Sequence, residues 1–214
     1  MKFETRLTAN RRLSPTIFEL QLERPDGFAF RPGQHLTVHH RLGDRDYSLA
    51  CAPDDPQLAL CIRELSDRGV SAALGQSDIG TALQISGPHG YFVSRTGPHP
   101  AIWVATGTGV APFRAMARSG GKCRLCLHGV ADQCEALYAD DLRPAADRYR
   151  LCVSRSAAPA DASFRGRVTD YLAQRCPPGR YDFYLCGRQE MVRDVTLLVD
   201  TRFPGSRVFS EVFY

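Results

Sequence analysis

AIWVATGTGVAPF, residues 101–113, decides how the second half of this chain is read. An apolar run of this length, bounded by glycines, reads as a buried strand. The segment APFRAMARSG that follows reads as a helix, and Pro112 fits its first turn, where no N–H is needed. Between strand and helix lie Thr106, Gly107, Thr108 and Gly109. Glycines let a backbone approach a ligand closely. A helix beginning near Val110 offers free N–H groups and the positive end of its dipole. The turn therefore predicts a pyrophosphate cradle. It departs from the full GxGxxG pattern, because Pro112 stands at the third glycine position. The next strand also ends in His128–Gly129 rather than in the acid that grips a ribose.

Outward from that turn, strands and helices alternate. CRLCLHGV is a second strand, and a short helix follows Glu135–Tyr138. YRLCVSR is a third strand, RVTDYLAQRC a helix, YDFYLCG a fourth strand, RQEMVRDVTLLVDTRF a helix and RVFSEVFY a last strand. Such alternation predicts an open parallel α/β sheet with helical crossovers. Residues 1–97 have another texture. TIFELQLERP alternates Ile17, Glu19, Gln21 and Glu23 against Thr16, Phe18, Leu20 and Leu22. HLTVHH, RDYSLAC, LALCIREL and TALQISG follow, with turn clusters between them and one short helix at GVSAALGQ. That pattern predicts an antiparallel β-barrel or sandwich. The expected organisation is a β domain over 1–97 and an α/β domain over 98–214, divided in the Gly- and Pro-rich SRTGPHP.

In an open parallel sheet, ligands bind outside the carboxyl ends of the strands. Cys186 and Gly187 end the fourth strand there, and Ser154 and Arg155 end the third. Ser154–Arg155, with Arg165 and Arg167 nearby, set hydroxyl and guanidinium groups on that edge, or are simply surface charges. In the first half, RDYS at 45–48 sets a fixed cation two residues ahead of an aromatic and an aliphatic hydroxyl. Arg45 is a forked donor for phosphate, Tyr47 a flat face with a polar tip, and Ser48 a hydroxyl that carries no charge of its own.

The net charge of +4 comes from scattered arginines, which argues against nucleic acid. No apolar stretch approaches the ~20 residues of a membrane span. The opening MKFETRLTANRR lacks the apolar core of a secretory leader, so a cytoplasmic protein with reduced thiols is expected. Cys123 and Cys126 form a CxxC, but residues three apart on a strand point to opposite faces, and no second pair stands at metal spacing. No metal site is expected.

The whole set of motifs resembles the ferredoxin–NADP reductase-type flavin/nicotinamide oxidoreductases. RDYS is similar to the family's RxYS flavin motif, DRGVSAAL at 67–74 to its phosphate loop, and ISGPHGYF at 85–92 to the stretch ending its barrel. ATGTGVAPF at 105–113, YLCG at 184–187 and the terminal SEVFY follow in family order. The resemblance implies a flavin-binding β-barrel domain and an NAD(P)-binding α/β domain. It implies flavin contacts from Arg45, Asp46, Tyr47, Ser48, Cys61, Ile62, Arg63, Gly69, Val70 and Ser71. Nucleotide contacts are implied from Thr106–Gly109, Pro112, Ser154, Arg155, Arg165, Cys186 and Gly187. Tyr214 would be a displaceable lid on the flavin that also joins in catalysis with Ser48 and Cys186, and Glu211 a proton-relay carboxylate. The implied cofactor is FAD, with FMN the alternative, and the donor NADPH or NADH. There is no plant-type ferredoxin cysteine segment, so the expected acceptor is a separate ferredoxin-like iron–sulfur protein or oxygenase component. The other readings are a reductase of diffusible flavin and a non-enzymatic regulatory subunit of the same fold.

Overall fold

The structure is a computed structural model and describes residues 1–64, 66–155 and 163–213. Its chain divides into two compact units, one comprising 1–94 and 111–119, the other 95–110 and 120–214.

The first unit is built on six antiparallel strands: β1 (Lys2–Ser14), β2 (Ile17–Glu23), β3 (His35–His39), β4 (Arg45–Ser48), β5 (Gln57–Arg63) and, after the helix α1 (Val70–Gly75), β6 (Ala82–His89). The sheet order is β4-β3-β6-β1-β2-β5. β1 was not singled out in the sequence, because KFETRLTANRRLS is largely polar. Its first half, Lys2–Arg6, pairs with β6, and its second half, Leu7–Ser14, pairs with β2. Register shifts at Leu7/Ala9 and Arg12/Ser14 bend the strand between its two partners. A bridge between Leu49 and Leu60, with the Ala50 N–H donating to Ala59 O at 2.8 Å, then joins the end of β4 to β5 and closes the barrel. Leu7, Phe18, Leu20, Leu36, Val38, Leu60 and Ile85 fill the interior.

Alternation along β2 places Glu19 on an outward polar face. The structure buries it completely. The helix α2 (Ala111–Arg118), which belongs by packing to this unit, covers that face. Arg114 Nη1 donates to Glu19 Oε2 at 2.7 Å, and Arg11 Nη2 to Oε1 at 3.1 Å. A buried carboxylate is tolerable when it is paired in this way. A second clamp ties the same helix to the barrel, where Arg118 donates through two nitrogens to the Asp55 carboxylate. That pairing is the first cause holding Asp55 below the usual carboxylate range.

The second unit is a parallel sheet. Its elements are β7 (Ala101–Thr106), β8 (Cys123–Val130), the short α3 (Ala139–Leu142), β9 (Ala146–Val153), β10 (Ser163–Arg165), α4 (Val168–Arg175), β11 (Asp182–Arg188), α5 (Gln189–Arg202) and β12 (Arg207–Phe213). The order β10-β9-β8-β7-β11-β12 means that the chain builds outward from β7 in one direction, then returns to build in the other. The switch point lies between β7 and β11, where such sheets open a crevice at their carboxyl edge. β10 is an addition to the sequence reading. α4 presents Val168, Tyr171 and Leu172, and α5 presents Val192, Val195 and Val199, to the sheet residues Ile102, Val104, Phe183 and Leu185. The three- and four-residue spacings are those of one helical face.

The two CxxC thiols do not lie apart as strand alternation predicts. Cys123, the first residue of β8, hydrogen-bonds Cys126 through its side chain, which together with burial holds the Cys126 thiol well above its ordinary value. Among the described residues, no group of three or more His, Cys, Asp or Glu side chains is placed to hold a metal. No described helix is long and apolar enough to cross a membrane.

Candidate functional site

The nucleotide half of the site lies within the second unit. After Thr106, Gly107–Val110 form one turn of 3-10 helix, and α2 begins at Ala111 rather than near Val110. Gly107 is left-handed, at φ +53°. Gly109 is packed so closely on the end of β11 that a Cβ there would lie 2.6 Å from the Cys186 carbonyl carbon and 2.7 Å from Gly187 Cα. Gly187, at φ +138°, approaches Thr106 equally closely, and a Cβ on it would overlap the Thr106 hydroxyl. That hydroxyl accepts the Arg188 N–H at 3.1 Å. Two backbones thus meet at the switch point with no side chain between them. The first N–H groups of the turn have no preceding intrahelical carbonyl to accept them. This is donor chemistry for an anion, and it fits a pyrophosphate.

Cys186 is fully buried, paired with Ala105 on one side and Glu211 on the other. Burial, then Glu211, keeps its thiol well above the ordinary value, so it is a neutral group. Glu211 is half-buried. Tyr214 and residues 156–162 lie outside the described residues. Ser154 and Arg155 are exposed and follow β9, tied by their N–H groups to Val130 O and Ala131 O at 3.1 and 3.0 Å. β10 brings Arg165 opposite Val153, so Arg165 joins Ser154 and Arg155 at the same carboxyl edge. Pro112 is buried in the first turn of α2.

His128, noted in the sequence only as a missing acid, is a fully buried side chain beneath the turn. Its Nε2 lies 3.1 Å from Gly107 O, and Tyr149 Oη lies 3.5 Å from Nδ1. A carbonyl only accepts, so Nε2 carries the proton. Burial lowers its pKa from 6.5 to about 4, against the opposing pulls of the Gly107 hydrogen bond and of Glu135. The native state therefore favours neutral His128, while the unfolded chain takes up the proton. Stability from this group is complete above pH 6.5 and is lost as pH falls toward about 4. Between pH 7 and pH 5 the loss should be about 2 kcal/mol in chemical denaturation. His128→Gln should flatten that slope; an unchanged slope would remove His128 from its cause.

The residues expected to meet a flavin lie within the first unit. Pairing of β4 with β3 sets Ser48 opposite His35 and Tyr47 opposite Leu36. Arg45 is exposed and donates through Nη1 to Asp44 O at 2.7 Å. Tyr47 is half-buried, and burial, partly offset by Arg45, pushes its pKa to about 12. It is a neutral phenol at working pH. Ser48 is buried at the end of the strand. A cation, a flat ring and a hydroxyl so arranged fit a phosphorylated aromatic cofactor. Asp46 points away from Arg45 and Tyr47 by strand alternation, and accepts the Thr37 hydroxyl at 2.6 Å. Cys61 and Ile62 have core side chains, so what they offer a ligand is backbone. Arg63 donates through Nη1 to the Thr16 hydroxyl at 3.1 Å. Gly69, at φ +96° with open space around it, precedes α1, in which Val70 is buried and Ser71 half-buried.

Family models agree with this division. Residues 4–93 match an oxidoreductase FAD-binding domain, and residues 103–196 an oxidoreductase NAD-binding domain. The chain is 35% identical over 190 residues to ferredoxin–NADP reductase B of Sorangium cellulosum, an alignment covering 80% of this chain and 78% of that one. The chain belongs to the ferredoxin–NADP reductase family. It is also 30% identical to the toluate 1,2-dioxygenase electron transfer component of Pseudomonas putida, over 91% of this chain and 62% of that longer protein. The fold matches a ferredoxin–NADP reductase from Neisseria gonorrhoeae solved with FAD and NADP, at a TM-score of 0.83 and 21% identity, over 100% of this chain and 99% of that one. This member of the family thus carries an FAD-binding barrel and an NAD-binding α/β domain.

Proposed function

We propose that this protein is an NAD(P)H-dependent flavoprotein reductase that passes electrons to a separate one-electron acceptor. The observation that supports it most is the Gly109 and Gly187 packing at the switch point, a backbone cradle in the domain that matches the NAD-binding family. Bound flavin would supply the redox chemistry between a two-electron nicotinamide donor and a one-electron acceptor. The residues supply binding and orientation. Arg45 would hold a flavin phosphate, Tyr47 would offer its ring face and Ser48 its hydroxyl. The segment at Gly69–Ser71 would take a flavin phosphate. Gly107–Gly109 hold the nucleotide pyrophosphate, and the ends of β11 and β12, with Cys186 and Glu211, bound the nicotinamide.

The relatives named as a ferredoxin–NADP reductase and as a dioxygenase electron transfer component suggest the acceptor, an iron–sulfur protein or an oxygenase component. The chain's net positive charge would favour an acidic carrier by steering. The protein should keep its yellow chromophore through desalting and reduce ferricyanide with NAD(P)H. A colourless protein whose NAD(P)H oxidation needs added free flavin would favour the reading as a reductase of diffusible flavin.

Ser154, Arg155 and Arg165 sit at one edge and suit a 2′-phosphate. Arg155→Ala should therefore raise KM for NADPH about tenfold, less than the full value of a charge-assisted contact because Ser154 and Arg165 remain to meet the phosphate, and leave KM for NADH nearly unchanged. Equal effects on both donors would mean that Arg155 does not read the phosphate.

A further inference from the structure

We infer that His128 is a positioning residue for the nucleotide pyrophosphate: by holding the Gly107 carbonyl inward, it turns the Thr108 N–H outward toward the phosphate. The inference rests on the reading of the Gly107–Gly109 turn as a pyrophosphate cradle.

Three observations carry it. The first is placement. In the pairing of β7 with β8, His128 lies opposite Ala105, and Gly129 opposite Thr106. The ring therefore stands under the chain as it leaves β7 and enters the turn. The second is the contact itself. Nε2 donates to Gly107 O at 3.1 Å from a side chain with no exposure, so water does not compete for that donor. The third is the backbone. The carbonyl of Gly107 and the N–H of Thr108 belong to one planar trans peptide and point in opposite directions. Fixing the first inward fixes the second outward. Thr108 stands in the first turn of the 3-10 segment, where its N–H has no intrahelical acceptor.

An anchor is needed at this peptide for a specific reason. Gly107, at φ +53°, carries no Cβ, and a glycine has little intrinsic preference between the orientations of its following peptide. Flexibility that allows the tight turn also allows the peptide to flip, which would present a carbonyl to the phosphate instead of an N–H. His128 adds to the turn's own i→i+3 hydrogen bond in removing that freedom before the nucleotide arrives, and preorganised donors bind more tightly. Tyr149 Oη, against Nδ1, supports the tautomer that donates from Nε2. Burial keeps the ring neutral against the opposing pull of Glu135, and the neutral ring still donates from Nε2.

The test uses the flavin-loaded protein and ADP-ribose, which carries the pyrophosphate but no nicotinamide. His128→Asn puts its amide near the Nδ1 position and cannot reach Gly107 O. His128→Gln puts its amide near Nε2 and can. By calorimetry, the Asn variant should bind ADP-ribose about tenfold more weakly than the native protein. The Gln variant should stay within about threefold of it. In turnover, the Asn variant should raise KM for NAD(P)H by the same factor, with kcat within about twofold and flavin content unchanged. Native-like ADP-ribose binding by the Asn variant would overturn the inference. So would a Gln variant as weak as Asn, because the donor at Nε2 would then not be what matters. A native protein with no affinity for ADP-ribose would instead overturn the cradle reading, and the inference with it.

Discussion

Gly109→Ala should abolish nucleotide-driven reduction while leaving the flavin in place. The methyl group would be driven into the Cys186 carbonyl and Gly187 Cα. Both are backbone atoms in a paired strand, so neither can yield as the end of a flexible side chain would. The turn itself must move, by an ångström or more. Displacement on that scale destroys the alignment on which hydride transfer depends, and is commonly worth about a hundredfold or more in rate. The expected loss in kcat/KM for NAD(P)H is at least about a hundredfold, or about 3 kcal/mol. Flavin content and far-ultraviolet circular dichroism should be unchanged, since the substitution touches only the second unit. Stopped-flow reduction within threefold of the native rate would mean that the turn is not where the nucleotide binds.

Arg45→Ala should act on the other cofactor. Its guanidinium is exposed, donates to the Asp44 carbonyl, and stands two residues from the half-buried Tyr47 ring. A charge-assisted contact to phosphate contributes about 2–3 kcal/mol when its loss leaves the phosphate unpaired. Flavin binding should weaken about 30- to 150-fold by that arithmetic. The barrel should be unaffected, because Arg45 packs in no core. Protein that purifies fully yellow, with native flavin affinity by fluorescence titration, would remove RDYS from the flavin site.

Much of this was legible from spacing. The two textures of the chain, the strand–turn–helix at 101–113 and the order of β7, β8, β9, β11 and β12 follow from periodicity and from where the glycines fall. What escaped the sequence has identifiable physical causes. Alternation along β2 cannot show that α2, almost a hundred residues later, covers Glu19 and brings Arg114 to it. A 13-residue strand bent to serve two partners, as β1 is, shows no single alternating face. β10 has only three residues, too few for any period, yet it sets Arg165 beside Ser154 and Arg155. Within the candidate site, a motif gives residues without directions. RDYS does not say that Asp46 turns to Thr37, and LALCIREL does not say that Cys61 and Ile62 are core. His128 was visible only as a departure from an acidic pattern, because a hydrogen bond to a turn carbonyl leaves no mark on spacing.

Electrons should enter from a nicotinamide and reside on bound flavin. Anaerobic mixing of the purified protein with NADH, and separately with NADPH, tests it most directly. The flavin absorbance near 450 nm should bleach in a single turnover, before any acceptor is added, and recover when a one-electron acceptor follows. A flavin that stays oxidised under excess of both donors would contradict the account.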